Sequence, residues 1–178
     1  MDHYTQSEVL QLLEAARKES ERDWLMFLLA YNHGLRAGEV TGPRGITKAD
    51  IQESQIIVRR LKGSLTTVQP LRTHENPLLD EKTGLEARIQ ALPARNRVFP
   101  ISTVQYWRRF DYYRRKLGLR RLLKTRGVFK HSLAMHIIET AGIENVRQYL
   151  GHRSLSSTGE YLRVTDAAAS KAVAAAMK

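Results

Sequence analysis

The residues of this 178-residue chain that could do chemistry are cations, tyrosines and histidines, because thiols and paired acids are missing. Zero cysteines exclude a disulfide framework, a thiolate metal site and a cysteine nucleophile together. There is no G-x-x-x-x-G-K-[ST] phosphate loop and no His-Glu-x-x-His. His131 and His136 stand five apart, off a shared helix face and with no acidic cluster beside them, so they read as structural hydrogen-bonders. Residues 101–178 hold only five acids, which disfavours hydrolysis by a pair of carboxylate-bound metals. What remains is a metal-free way to open a phosphodiester. It needs cations around the phosphate, a hydroxyl nucleophile and an acid for the leaving oxygen. A phenol, with a reference pKa of about 10, would need cationic neighbours to attack.

Such cations are abundant and unevenly spread. The chain carries 29 Lys+Arg against 18 Asp+Glu, a net charge of +11. Residues 1–100 hold 14 basic against 13 acidic side chains, whereas 101–178 hold 15 against five. Between 107 and 130 stand Arg108, Arg109, Arg114, Arg115, Lys116, Arg120, Arg121, Lys124, Arg126 and Lys130, opposed in sequence by Asp111 alone. Ordinary solvated faces mix their signs, so this concentration points to a polyanion, with nucleic acid the expected partner. Arg108, Arg109, Arg115, Arg126 and Arg153 are the candidate DNA-binding residues. The longest apolar run, Trp24 to Tyr31, is eight residues, far short of the ~20 that span a membrane. The N-terminus has no signal-peptide pattern. The expectation is a cytoplasmic, nucleoid-associated protein with no membrane partner, no small-molecule substrate and no cofactor.

The elements that must position these groups are mainly helical. Thr5-Gln6-Ser7-Glu8 has the form of a capping box, followed by Val9, Leu10, Leu12, Leu13 and Ala16 at helical spacing, which predicts a helix over about 5–18. A more buried helix follows over 23–33 with Gly34 as its stop, and 36–40 opens a short third. Residues 56–61 and 65–69 are β-prone runs around Lys62-Gly63-Ser64, a hairpin closed by Pro70. Residues 73–77 read as loop, 78–92 as helix, and Val98-Phe99-Pro100 as a short extended piece. Ser102 caps a basic helix to about Leu117, with Val104, Trp107, Phe110 and Tyr113 as its core positions. Helices over 129–140 and 144–150, a turn at 151–154, a short helix over 154–161 and an Ala-rich helical tail complete the chain. The fold class is mainly α with a small antiparallel hairpin or three-stranded sheet, in one domain over 1–178.

With these elements in place, the chain resembles the tyrosine recombinases (phage-type integrases) over nearly its whole length. Gly34-Leu35-Arg36-Ala37-Gly38-Glu39-Val40 looks like the family's G-L-R-x-x-E-[LV] box. Lys62 stands at the hairpin turn where the family keeps a lysine before a strand ending in Pro-Leu, here Pro70-Leu71. Lys130-His131-Ser132-Leu133-Ala134-Met135-His136, Gly142-Ile143-Glu144 and Leu150-Gly151-His152 through Tyr161 resemble its last box, with nine residues from His152 to Tyr161. The resemblance implies that Arg36 grips the scissile phosphate and that Lys62 protonates the departing 5′ oxygen. It further implies that His152 donates to the phosphate and that Tyr161 forms a 3′-phosphotyrosine link, with no metal or nucleotide.

Two departures stand out. Without gaps the family's H-x-x-R falls on Gly127-Val128-Phe129-Lys130, so a glycine replaces the histidine and Lys130 the second arginine. The alternative is a local four-residue deletion, with His131-Ser132-Leu133 as the H-x-L and the arginine lost. Lysine keeps one charge but loses the bidentate fork, which predicts weakened activity. The family's N-terminal DNA clamp is expected to be absent, because the first helix begins within about five residues of Met1. DNA affinity would then rest on one basic face and depend strongly on salt. Residues 165–178 correspond to the segment that in the family docks on a neighbouring protomer, which implies self-association on DNA. Two rivals share the resemblance: a catalytically silent DNA-binding relative, and a type IB topoisomerase-like relaxer.

Overall fold

A computed structural model describes residues 3–122, 127–154, 156–159 and 173–174. The chain begins with α1 (Gln6–Glu19), set by the expected capping box. Thr5 Oγ1 accepts from the Glu8 N–H, and the Glu8 carboxylate accepts from the Thr5 N–H at 2.7 Å. Ser20 ends α1 and caps α2 (Glu21–Asn32). Every residue from Asp23 to Ala30 is buried, which explains the unbroken apolar run: over that stretch α2 is the central axis and has no solvent face. Phe27 meets Tyr106, Phe110, Tyr113 and Phe129 with ring centroids 5.4, 6.1, 6.0 and 5.6 Å away. These rings come from α5 (Thr103–Lys116) and α6 (Val128–Ala141), so a single aromatic cluster joins the two halves of the sequence.

A short α3 (Ala37–Val40) leads to a 3₁₀ turn (Lys48–Asp50) and a three-stranded antiparallel sheet. Its strands are β1 (Ile51–Gln52), β2 (Gln55–Val58) and β3 (Thr67–Pro70), in that spatial order. Gln55 pairs with Pro70 and Val58 with Thr67, so the hairpin is shorter than the β-prone runs that flank its turn. Val98-Phe99-Pro100 is not a strand. Val98 N–H instead donates to Ile46 O at 2.8 Å, beside a lone Thr47–Arg97 bridge. The helix expected over 78–92 is trimmed to α4 (Glu81–Ile89), because the Asp80 side chain caps it and Leu78 O accepts from the Trp24 indole at 2.8 Å.

One core assignment on α5 is corrected. Its buried stripe is Tyr106, Phe110 and Tyr113, while Val104 is 57% exposed. Val104 precedes Tyr106 by two residues, about 200° around the helix, and so points away from α2. The α6 helix and α7 (Ile143–Tyr149) enclose a second small core of Leu133, Ala134, Ile138, Val146 and Leu150. A final turn of helix, α8 (Ser156–Gly159), follows. Of the Ala-rich tail only Val173 and Ala174 fall within the described residues.

Because Phe27 is fully buried at the meeting point of α2, α5 and α6, Phe27→Ala should cost about 3–5 kcal/mol in urea unfolding. A loss below about 1 kcal/mol would show that this aromatic cluster does not hold the halves together.

Candidate active site

The site starts at the C-terminal end of α2. Gly34 takes φ +58°, which reverses the chain so that Arg36 arrives as the N-cap of α3. A Cβ on Gly34 would lie 2.4 Å from the Leu150 side chain, so the turn also packs directly on the end of α7. Arg36 is part-buried and pairs with Glu39 at 3.0 Å, while the same carboxylate accepts from the Arg36 N–H at 2.9 Å. Glu39 is buried, and its Oε1 also accepts from the Leu61 N–H at 2.8 Å. One acid therefore fixes Arg36 and one foot of the hairpin loop.

Lys62 sits exposed at the tip of that loop. It takes φ +56° and Gly63 takes φ +71°, within a tight turn closed by Ser64 N–H to Leu61 O at 3.3 Å. A left-handed conformation costs a non-glycine residue about 1–2 kcal/mol, so the turn holds lysine here at the expense of stability. The other foot is held by Leu65 N–H donating to Gly151 O at 2.8 Å. Gly151 has φ +68°, and a Cβ there would lie 2.4 Å from Leu65 O. Glycine is required at that contact.

Lys130, on the first turn of α6, is 4% exposed and donates to Leu150 O at 2.8 Å. Burial, followed by the charges of Arg60 and Arg36, pushes its amine down to about 7, with Glu39 opposing. His152 is buried just beyond α7, with its Nδ1 in a 2.9 Å hydrogen bond with Thr158 Oγ1. That contact ties it to α8, the element that leads towards Tyr161. Tyr161 itself, the expected nucleophile, lies outside the described residues, as does Arg126. The structure thus brings the Arg36 turn, the Lys62 hairpin, Lys130 and His152 to one end of α2.

Arg60 was not singled out in the sequence, where it looks like one more residue of a β-prone run. Its side chain is fully buried and donates to three main-chain carbonyls: Gly34 O at 2.6 Å, His33 O at 2.9 Å and Tyr149 O at 2.9 Å. It also faces Glu39 at 3.6 Å, and burial lowers its guanidinium to about 10. The doublet Arg59-Arg60 was the only available signal, since one member of an alternating strand pair must face inward.

The proposed DNA-binding arginines divide. Arg108 and Arg153 are exposed, and Arg115 is exposed but pairs with Asp111 at 2.7 Å. Arg109 is turned inward, 2.5 Å from the buried Asp23 carboxylate and 2.6 Å from the Tyr113 hydroxyl. Burial pushes Asp23 up, but the bonds from Arg109 and Arg22 outweigh it and hold the carboxyl below its usual range. Lys116 pairs with Glu19 and Arg120 with Glu8, so acids from α1 and α2 oppose charges that in sequence faced only Asp111. Asp23 and His33 are ten residues apart on α2, so Arg109 lies about 15 Å along the axis from the Arg36 turn. His136 is structural as expected, bonded to the Tyr31 hydroxyl at 2.7 Å and to Tyr4 O at 2.8 Å. Among the described residues no helix is long and apolar enough to cross a membrane.

Comparison with known proteins identifies the family and the fold. The Phage integrase family matches residues 3–168, and the chain belongs to that family. Tyrosine recombinase XerA of Pyrococcus furiosus is 32% identical over 166 residues, covering 90% of this chain and 57% of that protein. Type 1 fimbriae regulatory protein FimE of Escherichia coli K12 is 29% identical, covering 79% of this chain and 73% of FimE. The fold matches the crystal structure of XerA recombinase with TM-score 0.73 at 21% identity, over 99% of this chain and 65% of that one. The catalytic domain of bacteriophage HP1 integrase matches with TM-score 0.70 at 17% identity, over 97% of this chain and 94% of that domain. The chain therefore spans a little over half the length of the XerA proteins it matches.

The site geometry yields two expectations. Gly151→Ala should release the hairpin foot, seen as faster amide exchange at Leu65; unchanged exchange would mean the Gly151–Leu65 contact is not what seats the loop. Between about pH 7 and the ordinary lysine range, the folded chain has lost a Lys130 proton that the unfolded chain keeps. Stability should therefore rise with pH across that window. Relative to Lys130→Met, the parent should gain about 2 kcal/mol between pH 6.5 and 8.5 in urea unfolding. A parallel pH dependence in the two proteins would place Lys130 in solvent.

Proposed function

We propose that this chain is the DNA strand breaking and rejoining module of a tyrosine recombinase, acting in site-specific recombination. The observation that carries the reading is the convergence of Arg36, the Lys62 hairpin, Lys130 and His152 on one end of α2, in the order of the family's boxes. In the proposed reaction the Tyr161 phenol loses its proton to water and its oxygen bonds to the scissile phosphorus. The bond from phosphorus to the 5′ oxygen breaks, and Lys62 gives that oxygen its proton. The product is a 3′-phosphotyrosine link with the energy of the ester conserved, so a second 5′ hydroxyl can reverse the step on another strand. Arg36 and His152 would hold the non-bridging oxygens, where charge grows as the nucleophile approaches.

The proposed partners are double-stranded DNA, gripped by exposed cations such as Arg108, Arg115 and Arg153 together with Arg126, and further copies of this chain on that DNA. Residues 165–178 are the proposed segment of self-association. A second reading, a DNA-binding relative with little or no cleavage, is favoured by one specific observation. Lys130 spends its amine on Leu150 O, so the position of the family's second arginine offers the phosphate no bidentate fork.

Covalent trapping on a nicked suicide duplex separates the two. The parent should yield a protease-sensitive DNA adduct on a denaturing gel, and Tyr161→Phe should yield none. An adduct that survives Tyr161→Phe would disprove the mechanism, whereas no adduct from the parent, with salt-sensitive DNA binding retained, would favour the second reading. Gly127 has nothing within 4 Å of where a Cβ would stand, so a side chain fits there. Gly127→His with Lys130→Arg should raise the trapping rate by about 10²-fold, the scale of one restored preorganised donor.

A further inference from the structure

The Lys62 hairpin is held at both feet by single main-chain bonds, one to Glu39 and one to Gly151. Two such bonds leave a loop free to swing, because each is worth only about 1 kcal/mol net. Arg60, two residues before Lys62, adds a different kind of tie. Its guanidinium crosses from the end of β2 into the protein and donates to three carbonyls on two segments: His33 and Gly34 at the end of α2, and Tyr149 at the end of α7. The first two close the turn that delivers Arg36. The third ends α7, two residues before the Gly151 contact and three before His152. Glu39, which holds Arg36, faces the same guanidinium at 3.6 Å. The neighbouring Gln69, on the opposite strand of the hairpin, donates to Tyr149 O at 2.7 Å as well.

We propose that Arg60 is a positioning residue for strand cleavage, a buried clamp that seats Lys62 over the phosphate held by Arg36 and His152. The proposal rests on the strand-cleavage reading above and assigns a role to a side chain that cannot itself reach substrate, since it has no exposed surface. Three acceptors in three directions suit a guanidinium, which presents five donors in a fixed plane. A lysine at the same place keeps the charge opposite Glu39 but has no rigid plane of donors with which to span the two segments. The clamp should therefore be lost in Arg60→Lys although the charge is kept. It should also be lost in Arg60→Met, which keeps most of the aliphatic stem.

If Arg60 works through Lys62, its loss is a loss of proton delivery, and proton delivery can be made unnecessary. A substrate whose 5′ bridging oxygen is replaced by sulfur leaves as a thiolate, with a reference pKa of about 8.5, and needs no acid. On the ordinary oxygen ester, Arg60→Lys, Arg60→Met and Lys62→Ala should each slow covalent trapping by about 10²-fold, the contribution of a positioned general acid. On the sulfur ester all three should return to within about threefold of the parent. Independently of DNA, amide exchange at Leu61 and Leu65 should quicken about tenfold in both Arg60 variants, measured under conditions where circular dichroism shows them folded.

A rate loss that persists on the sulfur ester would overturn the proposal, because Arg60 would then act on the phosphate grip or on the fold at large. Unchanged trapping rates, or unchanged exchange at Leu61 and Leu65, would overturn it as well. Should the parent cleave neither ester while the exchange effect appears, the strand-cleavage reading fails and only the mechanical clamp stands.

Discussion

A single buried carboxylate, Glu39, is the constraint on which the arrangement of the site depends. It accepts from the main chain and guanidinium of Arg36, takes the Leu61 N–H of the hairpin, and faces the guanidinium of Arg60. Lys130 is close enough that Arg36 and Arg60 both push its proton off and Glu39 pulls it back. Three basic side chains around one acid leave the site with more positive than negative charge in a region of reduced dielectric. Like charges about 4 Å apart repel by roughly 4 kcal/mol at an effective dielectric constant of 20, so such a cluster holds only if something relieves it. Without a ligand, Lys130 can relieve it by shedding its proton. A phosphate anion would relieve it from outside and return that proton. The end of α2 thus carries a cluster of cations held together around one acid.

The second constraint is α2, buried along its length and different at its two ends. Near its start, Asp23 gathers Arg22, Arg109 and Tyr113 into a satisfied network that ties α5 to the core. At its end, His33 and Gly34 turn their carbonyls towards Arg60, and Asn32 and His33 bond to the buried Glu81 of α4 at 2.8 and 3.0 Å. Both ring nitrogens of His33 meet oxygen acceptors, Gln69 Oε1 at 2.7 Å and Glu81 Oε1. The same helix therefore anchors Arg22 and Arg109 at one end and meets Arg36 and Arg60 at the other. Net charge does not distinguish these arginines; burial and the number of acceptors do.

That distinction explains what could and could not be read from the amino acids. Local signals carried well: the Thr5–Glu8 capping box, the Gly34 stop and the Ser102 cap each fix a helix end through neighbours three residues away. The boxes holding Arg36, Lys62, Lys130 and His152 were visible because their residues recur in order at fixed spacing. Arg60 was not, since each of its partners is a main-chain carbonyl, and a carbonyl has no sequence identity. The pairing of Lys116 with Glu19 and of Arg120 with Glu8 was hidden for a related reason, because it joins residues about 100 positions apart. Val104 was misplaced by counting apolar residues, whereas the buried stripe takes in Tyr106, whose hydroxyl makes it look polar.

Position 130 shows what a lysine can and cannot do where the family's second arginine is expected. The carbonyl of Leu150 closes α7 and needs a donor, which Lys130 supplies at 2.8 Å. An arginine there has donors to spare: one N–H can satisfy Leu150 O while the other edge of the guanidinium still presents a parallel pair to a phosphate. Lysine has one nitrogen, and the geometry that keeps α7 closed also fixes where that nitrogen points. Burial first, and then the charges of Arg60 and Arg36, loosen the amine's hold on its proton, which an arginine would keep. Lysine therefore keeps the packing of α6 against α7 intact while presenting a single nitrogen, already bonded to Leu150 O, in place of a bidentate fork.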